Sequence, residues 1–152
     1  MLLVSVEQQV ERGGVEPVLA AGRGRHLLLQ RVSVDADGRR RPALRFRLPF
    51  DLRGVQWFDE RTLALLDARR RVHVVDVDAR RTLDVVDISG LGLVPSQRRL
   101  DDYSGSFLAS AGQVLLLCGD GLRSLQLRTR EERLDLLVSR GRYDDALRLG
   151  LR

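Results

Sequence analysis

The chain has 152 residues, 43% of them hydrophobic and 31% charged, and carries a net charge of +5. That balance excludes a disordered chain, and one domain of this length can bury roughly 70% of its unfolded surface. The single cysteine, Cys118, excludes an internal disulfide and any cysteine-rich zinc site.

The amino-terminal residues Met1-Leu2-Leu3-Val4-Ser5-Val6-Glu7 contain no basic segment and reach a carboxylate too soon for a signal peptide. No run approaches the roughly 20 apolar residues of a membrane span, so a cytosolic, soluble protein is expected. Leu2 to Val6 is a first predicted strand. Val15 to Ala21 and His26 to Val34 make a second and third, separated by Gly22-Arg23-Gly24-Arg25. Asp35-Ala36-Asp37-Gly38 then closes a hairpin, with Asp-Gly supplying the positive φ angles of a tight turn. A calcium loop would need a Glu at the end of a twelve-residue stretch, and none follows before Glu60. Arg39-Arg40-Arg41-Pro42 continues the turn. Ala43 to Phe50 sets Leu44, Phe46 and Leu48 against Arg45 and Arg47, a strand with one wet face.

The stretch from Val55 to Ile88 organises the chain. Val55-Gln56-Trp57-Phe58, Thr62-Leu63-Ala64-Leu65-Leu66-Asp67, Val72-His73-Val74-Val75-Asp76-Val77 and Thr82-Leu83-Asp84-Val85-Val86-Asp87-Ile88 follow one another with charged gaps. This spacing predicts a four-stranded antiparallel meander. The third run places Val72, Val74 and Asp76 on one face and His73, Val75 and Val77 on the other, whereas the second is apolar on both. A strand apolar on both faces lies between layers, as in the stacked blades of a β-propeller.

Ser89 to Ser106 reads as a long loop with Gly90, Gly92, Pro95, Gly105 and the charged run Arg98-Arg99-Leu100-Asp101-Asp102. Phe107 to Ser110, Val114 to Cys118 and Leu122 to Leu127 are three more strands, joined by turns at Ala111-Gly112 and Gly119-Asp120-Gly121. That blade is one strand short. At Thr129 the period changes from two to 3.6. Thr129-Arg130-Glu131-Glu132 is a capping box, Leu134, Leu137 and Val138 follow at helical spacing, and Gly141 ends the helix. A second helix carries Tyr143, Ala146 and Leu147 on one face. Gly141-Arg142-Tyr143-Asp144-Asp145-Ala146 has the Gly-x-Tyr-x-x-Ala spacing of a solenoid hairpin.

The fold class expected is therefore mainly β: a partial propeller of WD40-like blades over residues 1–128, then the first helical hairpin of an α-solenoid over 129–152. Closed propellers have about four to eight blades, and solenoids need about three repeats. About two and a half blades and one hairpin are what a segment of a larger protein would contain.

Residues with catalytic chemistry are sparse. Of the two histidines, His26 and His73, the latter lies on a strand face and reads as a satisfied strand residue. Ser104 and Ser106 lie near Asp101 and Asp102 without a nucleophile elbow. Gly22-x-Gly24 and Gly90-x-Gly92 lack the rest of a dinucleotide fingerprint. Asp59-Glu60 and Asp144-Asp145 read as turn and helix-start charges, and Cys118 as a small buried hydrophobe. No catalytic, cofactor-binding or metal residue, no cofactor and no small-molecule substrate is expected.

A propeller running into a solenoid is the architecture of membrane-coat and tether scaffolds. The ordered set Val55-Gln56-Trp57-Phe58, Arg61-Thr62-Leu63-Ala64-Leu65-Leu66-Asp67, Val72-His73-Val74-Val75-Asp76, Leu83-Asp84-Val85-Val86-Asp87-Ile88, Gly92-Leu93-Val94 and Leu127 to Leu137 with Ala146-Leu147 resembles the vacuolar protein sorting-associated protein 8 family. The resemblance runs from about Val15 onward. It implies a non-enzymatic scaffold of the CORVET endosomal tethering complex, peripheral on the early or late endosome membrane. Its implied partners are the class C core subunits and an endosomal Rab GTPase, in vesicle-mediated protein transport to the endosome or vacuole. The chain departs from the family in a shorter stretch from Leu91 to Ser106, in lacking the cysteines of a RING-like region, and in containing little of the solenoid. No partner-binding residue is transferred.

Two other readings stay open: the propeller of another coat or ciliary transport scaffold, and an arginine-rich nucleic-acid module using Arg39 to Arg41, Arg69 to Arg71, Arg80-Arg81 and Arg98-Arg99. A pI near 10.7 favours the latter. Against it, the chain has no Lys and no Asn and one Ile, Ile88, as a GC-rich coding sequence produces. Its arginine clusters also fall in hairpin turns without interleaved aromatics for base stacking. No nucleic acid is expected as a partner.

Overall fold

The Val-, Leu- and Thr-rich runs pair locally into antiparallel meanders, each strand hydrogen bonding to its neighbour in sequence. The computed structural model describes residues 3–11, 14–32, 36–40, 42–59, 61–110 and 112–151, with the backbone alone for 4–11 and 14–16. Among these residues, β1 (Leu3–Glu11), β2 (Gly14–Arg23), β3 (His26–Arg31) and β4 (Leu44–Arg47) form the first blade in that order. The second comprises β5 (Leu52–Trp57), β6 (Thr62–Asp67), β7 (Arg71–Asp76) and β8 (Arg81–Asp87). The third has three strands: β9 (Phe107–Ser110), β10 (Gln113–Cys118) and β11 (Gly121–Gln126). Helices α1 (Arg130–Ser139) and α2 (Tyr143–Gly150) follow. A mainly β fold of propeller blades succeeded by a helical hairpin is what the sequence pattern predicts.

The blades stack through β6, all six of whose residues are buried. Leu63 and Leu65 face the first blade, in a cluster with Val18, Ala20, Leu27 and Leu29. Ala64 and Leu66 face the third, with Phe107, Val114, Leu116 and Cys118. Period-two alternation thus puts one strand in two cores. Strand β5 lies against β1 on one side and β9 on the other, so the first strands of the blades line the inner edge of the stack.

Two expectations change. The β3–β4 connection runs from Val32 to Ala43 rather than closing as a tight turn: Gly38 takes φ 74° but Asp37 stays at negative φ, and Asp35 lies outside the described residues. The strand expected over Ala43 to Phe50 is confined to Leu44–Arg47. The segment after β8 is a long loop, as expected, and it is tethered to the third blade. It makes 3-10 turns at Ser89–Leu91 and Ser104–Ser106, buries Leu93 and pairs it with Cys118 in an antiparallel bridge. The face expected for the second helix is largely uncovered: Tyr143 and Leu147 are exposed, while Ala146 is buried. Leu2, Val34, Arg41, Glu60 and Ala111 lie outside the described residues.

The helical end follows its local signals. Thr129 Oγ1 accepts the Glu132 N–H at 3.1 Å while the Glu132 carboxylate accepts the Thr129 N–H at 2.8 Å, a complete capping box. At the other end Gly141 takes φ 69°, its N–H reaches the Val138 carbonyl and the Arg142 N–H reaches that of Leu137. This is a Schellman stop, which favours a residue without Cβ.

Candidate functional site

Asp67 is the most constrained charged residue among those described, with its side chain 1% exposed at the end of β6. Its Oδ1 accepts the backbone N–H groups of Arg69 and Arg71, at 2.8 and 2.9 Å, and so builds the β6–β7 turn. Its Oδ2 lies 2.9 Å from both the Arg71 Nε and the His73 Nε2. The His73 ring stacks on Phe50 of the β4–β5 connection, with centroids 3.9 Å apart. Burial pushes the Asp67 carboxyl up, but the hydrogen bonds from His73, Arg71 and Arg69 outweigh it and hold the group below its ordinary range. The Asp67–His73 pair thus holds a turn and a contact with Phe50. His26 is exposed at the start of β3 in the first blade and is not part of this hydrogen-bonded cluster.

Asp59, Asp76, Asp87 and Asp102 repeat the turn-building device. Asp59 Oδ1 accepts the N–H groups of Arg61 and Thr62, Asp76 that of Ala79 and Asp87 that of Ser89. Asp102 accepts the Ser104 hydroxyl at 2.7 Å and its N–H at 3.0 Å, which lowers its carboxyl pKa. Ser106 donates to the Val94 carbonyl. Ser104 and Ser106 therefore fasten the long segment to itself. Among the described residues no three His, Cys, Asp or Glu side chains group as a metal site requires. Cys118 is buried, and Gly22 and Gly92 flank no helix that could receive a phosphate. Gly22 instead admits the next blade: a Cβ there would meet Leu52 Cδ1 at 2.6 Å.

The arginine clusters divide between the two ends of the stack. Arg69 and Arg71 border a cavity with Arg25 and Asp51 at the end that carries the β2–β3 and β6–β7 turns. Arg39-Arg40 and Arg80-Arg81 sit at the opposite end, with the β3–β4 and β7–β8 connections.

The helical hairpin leaves from that second end. Arg81 at the start of β8 reaches Asp145 of α2 at 3.9 Å, and Asp145 also receives Arg142 at 2.7 Å. Leu83, Leu137 and Leu149 line the small gap between blade and hairpin. Arg130 closes the hairpin by donating to the Leu149 and Gly150 carbonyls, the unpaired acceptors at the end of α2. The sequence shows Asp144-Asp145 as helix-start charges. The Arg81 contact has no sequence signal, since its partners lie in separate elements. No described helix is long and apolar enough to cross a membrane.

This arrangement can stack, tether and present surfaces. In comparison with known proteins, the model of the Vps8 beta-propeller family matches residues 2–118, which span the first two blades and β9–β10. No curated protein matches the chain.

Proposed function

The chain belongs to the Vps8 beta-propeller family, and on that premise we propose that it serves as a scaffold segment of a CORVET-type endosomal tethering complex. Family membership implies a scaffold role in a multi-subunit tether. The finer reading is that residues 1–128 are propeller blades and 129–152 open the solenoid. On this reading the segment acts by protein contacts, without turnover, in vesicle-mediated transport to the endosome or vacuole. Its partners are the class C core subunits and an endosomal Rab GTPase, and it is held peripherally on the endosome membrane.

The observation that carries this reading is the family match over residues 2–118. Its physical support is the interlocked stack itself: blades that share buried strands hold their end loops at fixed spacing, and the Arg81–Asp145 contact fixes the hairpin against them. Such rigidity keeps the ordering cost of binding low. Anchoring the whole chain on the mitochondrial surface of cells tests it. The class C core subunits should relocate to mitochondria; a core that keeps its endosomal distribution would overturn the reading.

A further inference from the structure

The third blade stops one strand short of its neighbours. In the first and second blades the outermost positions are held by β4 and β8, whereas the third ends at β11. Strand β4 carries Arg45 and Arg47, and β8 carries Arg81, Asp84 and Asp87; charge of this kind keeps a sheet edge from pairing. Strand β11 reads Gly-Leu-Arg-Ser-Leu-Gln, and its single charge, Arg123, is held by Asp120 at 2.7 Å. The two-residue turn at Gly119-Asp120 makes Cys118–Gly121, Leu116–Arg123 and Val114–Leu125 the hydrogen-bonded pairs of the β10–β11 hairpin. The N–H and C=O groups of Leu122, Ser124 and Gln126 therefore point away from β10, and no backbone group among the described residues pairs with them. All three residues are exposed, Leu122 to 65%.

We propose that β11 is a self-pairing edge, through which two copies of the chain join antiparallel with Ser124 opposite its own copy on the twofold axis. The residues themselves select a second copy and this register. With Ser124 on the axis, Leu122 lies opposite Gln126 of the second copy, so all three outward-facing residues exchange both hydrogen bonds. Arg123 falls opposite Leu125, and Asp120 falls opposite Arg128, whose side chain is exposed. Opposite charges thus meet at both ends of the new ladder and like charges meet nowhere along it. A slip of one residue towards the start of the strand would set Arg123 against Arg123. The contact is isologous and closes at two chains. A six-residue edge buries less than the roughly 1,200 Å² at which stable interfaces begin, so the dimer is weak and forms with concentration. The inference goes beyond the scaffold reading and stands independently of the class C core.

Sedimentation of the full chain from micromolar to near-millimolar concentration tests it. The average mass should rise from one chain towards two and level there. Amide exchange followed residue by residue should slow at Leu122, Ser124 and Gln126 as concentration rises, while Arg123 and Leu125, already bonded to β10, stay unchanged. Ser124→Lys sets two like charges face to face on the axis, and Ser124→Pro removes the donor there without touching a bond to β10. Each should weaken association about tenfold or more, and both should keep the circular dichroism of the parent. A single chain at every concentration, growth past two chains, association that neither variant weakens, or protection that rises at Arg123 and Leu125 instead would each overturn the self-pairing edge.

Discussion

Gly54 of β5 lies directly against the ring of Phe107 in the next blade: a β-carbon built on Gly54 would come within 2.6 Å of the ring Cδ1 and 3.1 Å of Leu66 Cβ. Both neighbours are fully buried, so neither has space to withdraw. Gly54→Ala should therefore destabilise the stack by about 1–3 kcal/mol. Gly22→Ala should cost less, because its nearest obstacle is a terminal methyl of Leu52 that can rotate. Urea unfolding of the two variants compares them directly. Equal losses, or a neutral Gly54→Ala, would contradict the interlock.

Asp67 sets a pH dependence. Its folded-state pKa is depressed, so its contribution to stability is fully present above the ordinary carboxylate value of about 4 and is lost as pH falls through the lower folded value. Unfolding measured from pH 6 to pH 2 should show that loss in the parent and a smaller one in Asp67→Asn. Asp67→Ala, which strands Arg71 and His73 and removes the turn acceptor, should cost about 3–5 kcal/mol at neutral pH.

The capping box at Thr129 stabilises only the start of α1. Thr129→Ala should cost about 0.5–2 kcal/mol locally. Amide exchange should accelerate over Glu132 to Val138 while β6 keeps its protection. Unchanged exchange over those residues would remove the cap from the account.

Asp145 joins the hairpin to the second blade. The Arg81–Asp145 pair is partly exposed, with side-chain exposures of 35% and 29%, so Asp145→Ala should lower global stability by no more than about 1 kcal/mol. Its effect should appear instead as faster amide exchange over Tyr143 to Gly150, measured by mass spectrometry. Exchange that rises equally in α2 and β6 would mean that the contact supports the whole fold.

Local pattern carried most of the fold. Leu63 to Leu66, apolar without alternation, marks β6 as lying between two layers, and the Thr129 to Glu132 spacing marks the start of α1. What stayed hidden depends on register and on contacts between blades. Asp67 meets His73 only because the hairpin sets Leu65 opposite His73 and Leu66 opposite Val72. The Leu93–Cys118 bridge belongs to a stretch without periodicity. A glycine inside a strand signals a close neighbour, but nothing near Gly54 in sequence names Phe107.

The scaffold account is tested most directly by mixing the purified chain with reconstituted class C core and measuring mass by light scattering across a size-exclusion column. Co-elution as a stoichiometric complex at micromolar concentration, abolished by excess unlabelled chain when the chain is tagged, is the predicted result. Separate elution of a folded chain and an intact core would contradict it.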